Sequence, residues 1–108
     1  MSRAVLLYVT AGSVREAEDL ARGLLEKRLC ACVNIFPGMR SFYWWEGRIE
    51  SAEEAVLIVK TTPEKARAAR EEIVKRHSYS CPCVLELPVA GGHEPFLEWI
   101  ERETTRPE

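Results

Sequence analysis

The chain has 108 residues, 46% of them hydrophobic and 30% charged, with a formal net charge of −2. That length fits one domain, residues 1–108, able to bury about two-thirds of its unfolded surface in a single core. Acids and bases are mixed without a basic stripe, and no run approaches eighteen apolar residues, so the composition argues against nucleic-acid partners and against a membrane span. Residues Met1 to Leu7 lack a signal-peptide layout, and the chain reads as cytoplasmic. It has no Gln and a single Asn, Asn34, with abundant Arg and Glu, a composition that points to a thermostable protein.

Ala4 to Thr10 reads as a central strand, apolar on both faces. Ser13 is placed to cap a first helix, with Glu16 as its capping-box partner. This helix runs to about Arg28 with Val14, Ala17, Ala21, Leu24 and Leu25 on one face, and pairs Glu18 with Arg22 outside. In the second strand Cys30, Cys32, Asn34 and Phe36 share one face, until Pro37-Gly38 interrupts it as a bulge would. Ser41 to Trp45, the tight turn Glu46-Gly47-Arg48 and a third strand through Val59 complete a long hairpin. Glu53 and Glu54 read as solvated residues of this arm. Thr62-Pro63 opens a second helix with a buried stripe of Ala66, Ala69 and Ile73. Arg67–Glu71, Glu71–Lys75 and Glu72–Arg76 pair on its exposed face. His77 to Pro82 is a loop, Val84 to Val89 an edge strand, and His93 to about Thr104 a last helix. The order is β-α-β-β-α-β-α. With right-handed crossovers it predicts an α+β, ferredoxin-like βαββαβ sandwich carrying an additional C-terminal helix. Two helices cover one sheet face; the other face, also apolar, calls for further copies of the chain.

The stretch Arg28 to Gly38, RLCACVNIFPG, followed by Ser41, Tyr43, Trp45, Gly47 and Ile49, resembles the CutA family of divalent-cation tolerance proteins. The resemblance continues through Lys60-Thr61, His77, Tyr79, Pro82 and Trp99-Ile100, nearly the whole chain. It implies a homotrimer of ferredoxin-like protomers, similar in shape to the PII signalling proteins, that takes part in the response to metal ions. In the family's copper pattern the places of its ligands correspond to Val9, Arg76 and His77, so only His77 is kept. The loop also departs from the family's usual acids: Ser80 and Cys83 stand where Glu is common.

Soft sulfur at Cys81 and Cys83, with Cys32 and His77, makes these four the expected metal ligands, suited to copper or another divalent or heavy metal. The alternative for the cysteines is buried apolar thiols, and for His77 the C-terminal cap of a helix. Cys30-x-Cys32 and Cys81-x-Cys83 would lie at opposite sheet edges of one protomer. The resemblance also implies clefts between subunits near the hairpin and the tyrosine loop, with Tyr43, Trp45, Lys60 and Tyr79 around them, a lining suited to a small anion or flat ligand. No phosphate-cradling loop and no triad appears, so no catalytic residue is assigned and the chain reads as a non-enzyme. The first expectation is therefore a homotrimeric metal-response protein. The other is a PII-like signalling or assembly module that binds a small ligand or protein partner at its clefts.

Overall fold

A computed structural model describes residues 2–107. Its elements are β1 (Val5–Ala11), α1 (Val14–Glu26), β2 (Cys32–Trp45), β3 (Arg48–Thr61), α2 (Pro63–Arg76), β4 (Val84–Pro88) and α3 (Glu94–Thr105). The four strands form one antiparallel sheet in the order β2-β3-β1-β4, the ferredoxin-like arrangement expected from the pattern.

Strand alternation sorts the side chains onto two faces. Leu7, Val9, Ala11, Ala55, Leu57 and Val59 pack with Ala17, Leu20 and Leu24 of α1 and with Ala69 and Ile73 of α2 to make the core. The opposite face carries Tyr8, Phe36, Ile58, Leu85 and Leu87, as the pairing of β1 with β3 and β4 requires. Helix α3 covers only one end of it. Leu97 and Ile100 pack on Ala4, and the Lys60 ammonium lies 5.5 Å from the centre of the Phe96 ring. Phe36, Leu85 and Leu87 stay exposed at 55%, 59% and 44%.

In α1 the buried stripe is Ala17, Leu20, Ala21 and Leu24, whereas Val14 and Leu25, expected inside, are exposed. They flank the stripe, and no neighbouring element reaches over them. The helix ends in a Schellman motif: the Leu29 N–H donates to Leu24 O at 3.0 Å and Arg28 N–H to Leu25 O at 3.1 Å. Arg28 holds the left-handed position, φ 57°, where glycine is usual. Its guanidinium donates to the Glu103 carboxylate at 2.9 Å and so ties α1 to α3.

Between Phe36 and Met39 the register of β2 on β3 shifts, and Gly38 has φ 73°. Trp45 pairs with Arg48 across a two-residue turn with Glu46 at φ 50° and Gly47 at φ 79°, so Arg48 begins β3 rather than belonging to the turn. The arm stretches the protomer to 44 Å, against 28 and 22 Å on the other axes.

Glu72 corrects a second expectation. It lies under α2 at 8% exposure, not on the solvated face, with Lys27 Nζ at 3.1 Å and Arg76 beside it. Those two cations hold its carboxyl below the ordinary range, Arg76 contributing most. Arg67 and Glu71 do pair, at 3.4 Å. Gly23 of α1 faces this cluster, and a Cβ there would lie 2.8 Å from the Arg76 guanidinium carbon. A helix-interior Gly→Ala change ordinarily stabilises by about 1 kcal/mol. Here the guanidinium must leave Glu72 to make room. Gly23→Ala should therefore gain less than half of that in the native sequence and about all of it in an Arg76→Ala background. Urea unfolding of the double-mutant cycle at one protein concentration checks this.

Candidate functional site

The loop from His77 to Cys83 meets the base of the hairpin arm and leaves a cleft of about 420 Å³. Thr10 at the end of β1, Glu54 of β3, and Ser41, Tyr43 and Trp45 of β2 form one side of it. Tyr79, Ser80, Cys81 and Cys83 form the other. The bulge sets this arrangement: after it, the odd-numbered residues of β2 share a face with Glu54 and Val56, while Phe42 and Trp44 point away.

Glu54 was read as solvated from sequence. It is instead 9% exposed and accepts a hydrogen bond from Tyr79 Oη at 2.7 Å. The strand period could have found it, since Glu54 is in phase with Val56, Ile58 and Lys60. Burial, then the hydrogen bond to Glu54, pushes the Tyr79 phenol well above its usual range. Tyr79 is thus held as a hydrogen-bond donor. Burial and the Glu54 charge also push the Cys83 thiol up, partly offset by its hydrogen bond with Thr10.

His77 is at the C-cap of α2, its backbone N–H donating to Ile73 O at 2.9 Å, but its ring does not serve as the helix-end cation of the cap reading. Its side chain is fully buried. Nε2 lies 2.7 Å from Thr10 O, an acceptor only, so Nε2 carries the proton and donates. Nδ1 then accepts from the Tyr79 N–H at 3.1 Å. Both ring nitrogens are used, and the ring also lies tilted against Tyr79, 4.6 Å between centroids.

Glu16 anchors the same loop. It does not close the reciprocal capping box with Ser13. Oε1 accepts from the Gly12 N–H at 3.2 Å, and Oε2 reaches across to the Ser78 N–H at 2.8 Å. Ser13 Oγ still caps the helix through the Glu16 N–H. No local sequence signal announces the Ser78 contact, which joins residues 62 positions apart.

The four expected metal ligands are not gathered in one protomer. Cys81 and Cys83 line the cleft, and His77 sits behind it with both nitrogens engaged. Cys32 pairs with Lys60 near the α3 end of the sheet. Among the described residues no three His, Cys, Asp or Glu side chains are placed to share an ion. Cys30 does not share a strand face with Cys32. It precedes β2 in the core, 2% exposed, and burial raises its thiol to about 12. All four cysteines are free thiols. Of the expected cleft residues, Tyr43, Trp45 and Tyr79 meet within the protomer. Lys60 does not, being four residues along the β1–β3 ladder from Val56, about 13 Å away.

Burial alone would raise the Glu16 carboxyl, but its hydrogen bonds from Ser78 and Gly12 bring it below the ordinary 4.5. A carboxylate with a depressed folded pKa contributes stability above its unfolded value and loses it as pH falls through the folded one. Glu16→Gln should therefore cost about 1 kcal/mol at pH 7, with the loss relative to the native chain shrinking below about pH 4. Thermal unfolding of both proteins from pH 7 to pH 3 measures it.

The chain matches the CutA1 divalent ion tolerance protein family over residues 5–103. It is 52% identical over 95 residues to the divalent-cation tolerance protein CutA of Archaeoglobus fulgidus, covering 88% of this chain and 92% of that one. A solved structure of the periplasmic divalent cation tolerance protein CutA from that organism superposes with a TM-score of 0.91 at 48% identity, covering 94% of this chain and 98% of the other. The chloroplastic protein CutA 1 of Oryza sativa subsp. japonica is 38% identical over 100 residues, 93% of this chain but only 56% of that relative's length. No helix among the described residues is long and apolar enough to cross a membrane. This chain belongs to the CutA1 divalent ion tolerance family.

Proposed function

We propose that the chain is a non-enzymatic, cytoplasmic homotrimer that takes part in the cell's response to metal ions, binding a thiophilic ion such as copper through Cys81 and Cys83. The observation that carries the metal reading is that both thiols of the Cys81-Pro82-Cys83 segment line one cleft. Two thiolates suit a soft d¹⁰ ion, which is content with two sulfur ligands, better than a hard divalent one. Cys83 holds its proton more tightly than a free thiol, so the ion must displace it and binding weakens as pH falls. Cys32 lies away from this pair, and His77 would have to give up a buried hydrogen bond to reach an ion.

A binding role rather than catalysis fits the side chains available. Tyr79 is a tied donor, His77 is saturated, and Lys60 is remote from both. The trimer is supported by the exposed apolar face: burying a Leu or Phe side chain is worth about 1.5–3 kcal/mol, and Phe36, Leu85 and Leu87 are each left largely in water by one protomer. Three such faces can close a cyclic assembly.

Titration of fully reduced protein with copper(I), in competition with a chromogenic chelator, should show tight binding of one ion per protomer that weakens as pH is lowered. The Cys81→Ser/Cys83→Ser double variant should lose it and Cys32→Ser should keep it. Binding that survives the double variant sinks the cysteine assignment. Light scattering at micromolar concentration should give a mass close to three chains, and Leu85→Arg should shift it toward monomer. A monomeric native chain would overturn the assembly.

A further inference from the structure

Glu54 has a charge that the protomer does not answer. It is nine-tenths buried and lines the cleft. One oxygen, Oε2, is bonded to Tyr79. No Lys, Arg or His among the described residues forms an ion pair with it, whereas Glu72, the other buried carboxylate, has two cations. A carboxylate withdrawn from water without a cation is unfavourable. No buried side-chain oxygen or nitrogen among the described residues lacks a partner, so Oε1 is not sealed off unpartnered, and the residue lines the cleft.

The surroundings answer what would sit there. The rings of Tyr43, Trp45 and Tyr79 line the space, and no basic side chain does. Aromatic faces attract cations, most strongly where water is excluded. Thr10, Ser41 and Ser80 add hydroxyl oxygens that can accept hydrogen bonds. A primary ammonium has three N–H donors to use on Glu54 and these hydroxyls; a quaternary ammonium has none. The volume, about 420 Å³, falls in the range of small-molecule sites.

We infer that the cleft is a binding site for a small primary ammonium on an apolar stem, the ammonium on Glu54 Oε1 and the stem against Tyr43 and Trp45. The site draws on a carboxylate and aromatic rings rather than the thiols, in the same cleft that Cys81 and Cys83 line. A lysine supplied by a neighbouring protomer would satisfy the same carboxylate and is the competing occupant.

The test is calorimetric titration of the full-length, reduced, metal-free protein with 2-phenylethylammonium chloride, with 2-phenylethanol as the uncharged isostere and tetramethylammonium as the donor-free cation. The ammonium should bind once per protomer, with a Kd below roughly 1 mM. The alcohol and tetramethylammonium should each bind at least about tenfold more weakly. Glu54→Gln should lose at least about tenfold, and Trp45→Ala several-fold. Cys32→Ser, away from the cleft, should leave the affinity unchanged, and the ammonium-against-alcohol comparison uses metal-free protein, so its failure is distinct from failure of the metal reading. Because Glu54→Gln also alters the buried contact with Tyr79, the ammonium-against-alcohol comparison on the native chain and the Trp45→Ala variant, on the exposed arm, decide the matter without it. Equal binding of ammonium and alcohol overturns the proposal. So does no binding of the ammonium at millimolar concentration, the result expected when a neighbouring lysine already fills the site.

Discussion

The extra residue in β2 is the constraint on which the cleft depends. Pro37 and Gly38 together oppose Ala55, because Phe36 pairs with Val56 and Met39 with Glu54. Proline offers no ladder N–H, and Gly38 takes a positive φ that a side chain would resist. In an uninterrupted ladder the even-numbered residues would continue on the open face and put Phe42 and Trp44 on the same face as Glu54. The bulge exchanges them for Ser41, Tyr43 and Trp45, which carry two hydroxyls and the indole. One residue thus turns an apolar arm into one with a polar-edged aromatic side facing the loop and an outer side, Phe42 and Trp44, left in solvent.

The opposite wall is held by two carboxylates. Glu16 receives the Ser78 N–H and Glu54 receives the Tyr79 hydroxyl, so consecutive residues of the loop are tied to α1 and to β3. His77 fixes the loop's origin by bridging the Thr10 carbonyl and the Tyr79 N–H. The three contacts leave Cys81 and Cys83 positioned without either being used structurally in the core, unlike Cys30. They also make the cleft electronegative. Burial leads the upward displacement of both Tyr79 and Cys83, followed by Glu54, through its hydrogen bond and charge at Tyr79 and through its charge at Cys83, and a bound cation would relieve the charge contribution.

The fold was legible because its signals are local and periodic. The apolar run of β1, the Ser13 cap, the Thr62-Pro63 helix start (where the Thr62 hydroxyl makes no capping bond) and the Gly47 turn each depend on neighbours in sequence, and the strand order followed from connection rules. Tyr43, Trp45 and Tyr79 were grouped through the family resemblance, around an inter-subunit cleft; strand parity accounts for Tyr43 and Trp45 facing the loop within one chain. What was lost depends on distant partners. Glu54 beside Glu53 looks like a solvated pair until Tyr79 is brought over it. Glu72 looks like a surface i,i+4 partner of Arg76 until Lys27 arrives from the end of α1. Lys60 and Cys32 were separated from the cleft by distance along the ladder, which residue type does not reveal. In α1, Val14 and Leu25 matched helical spacing as well as Leu20 did; only the position of α2 and the sheet decides among them.

Arg28 connects these local choices to assembly. A non-glycine residue in the left-handed position costs about 1–2 kcal/mol, and Gly would close the same Schellman motif without it. The arginine side chain compensates by reaching Glu103 through its carboxylate and its backbone carbonyl, the latter at 3.3 Å. Arg3 adds a second clasp to Glu101 at 2.8 Å and to Glu94. Both contacts pin α3 over the Ala4 and Lys60 end of the sheet. A helix held there cannot also lie over Tyr8, Phe36, Leu85 and Leu87. The geometry that satisfies the end of α1 is therefore the same geometry that leaves the middle of the open face uncovered, and the exposed apolar surface follows from where a strained arginine anchors the last helix.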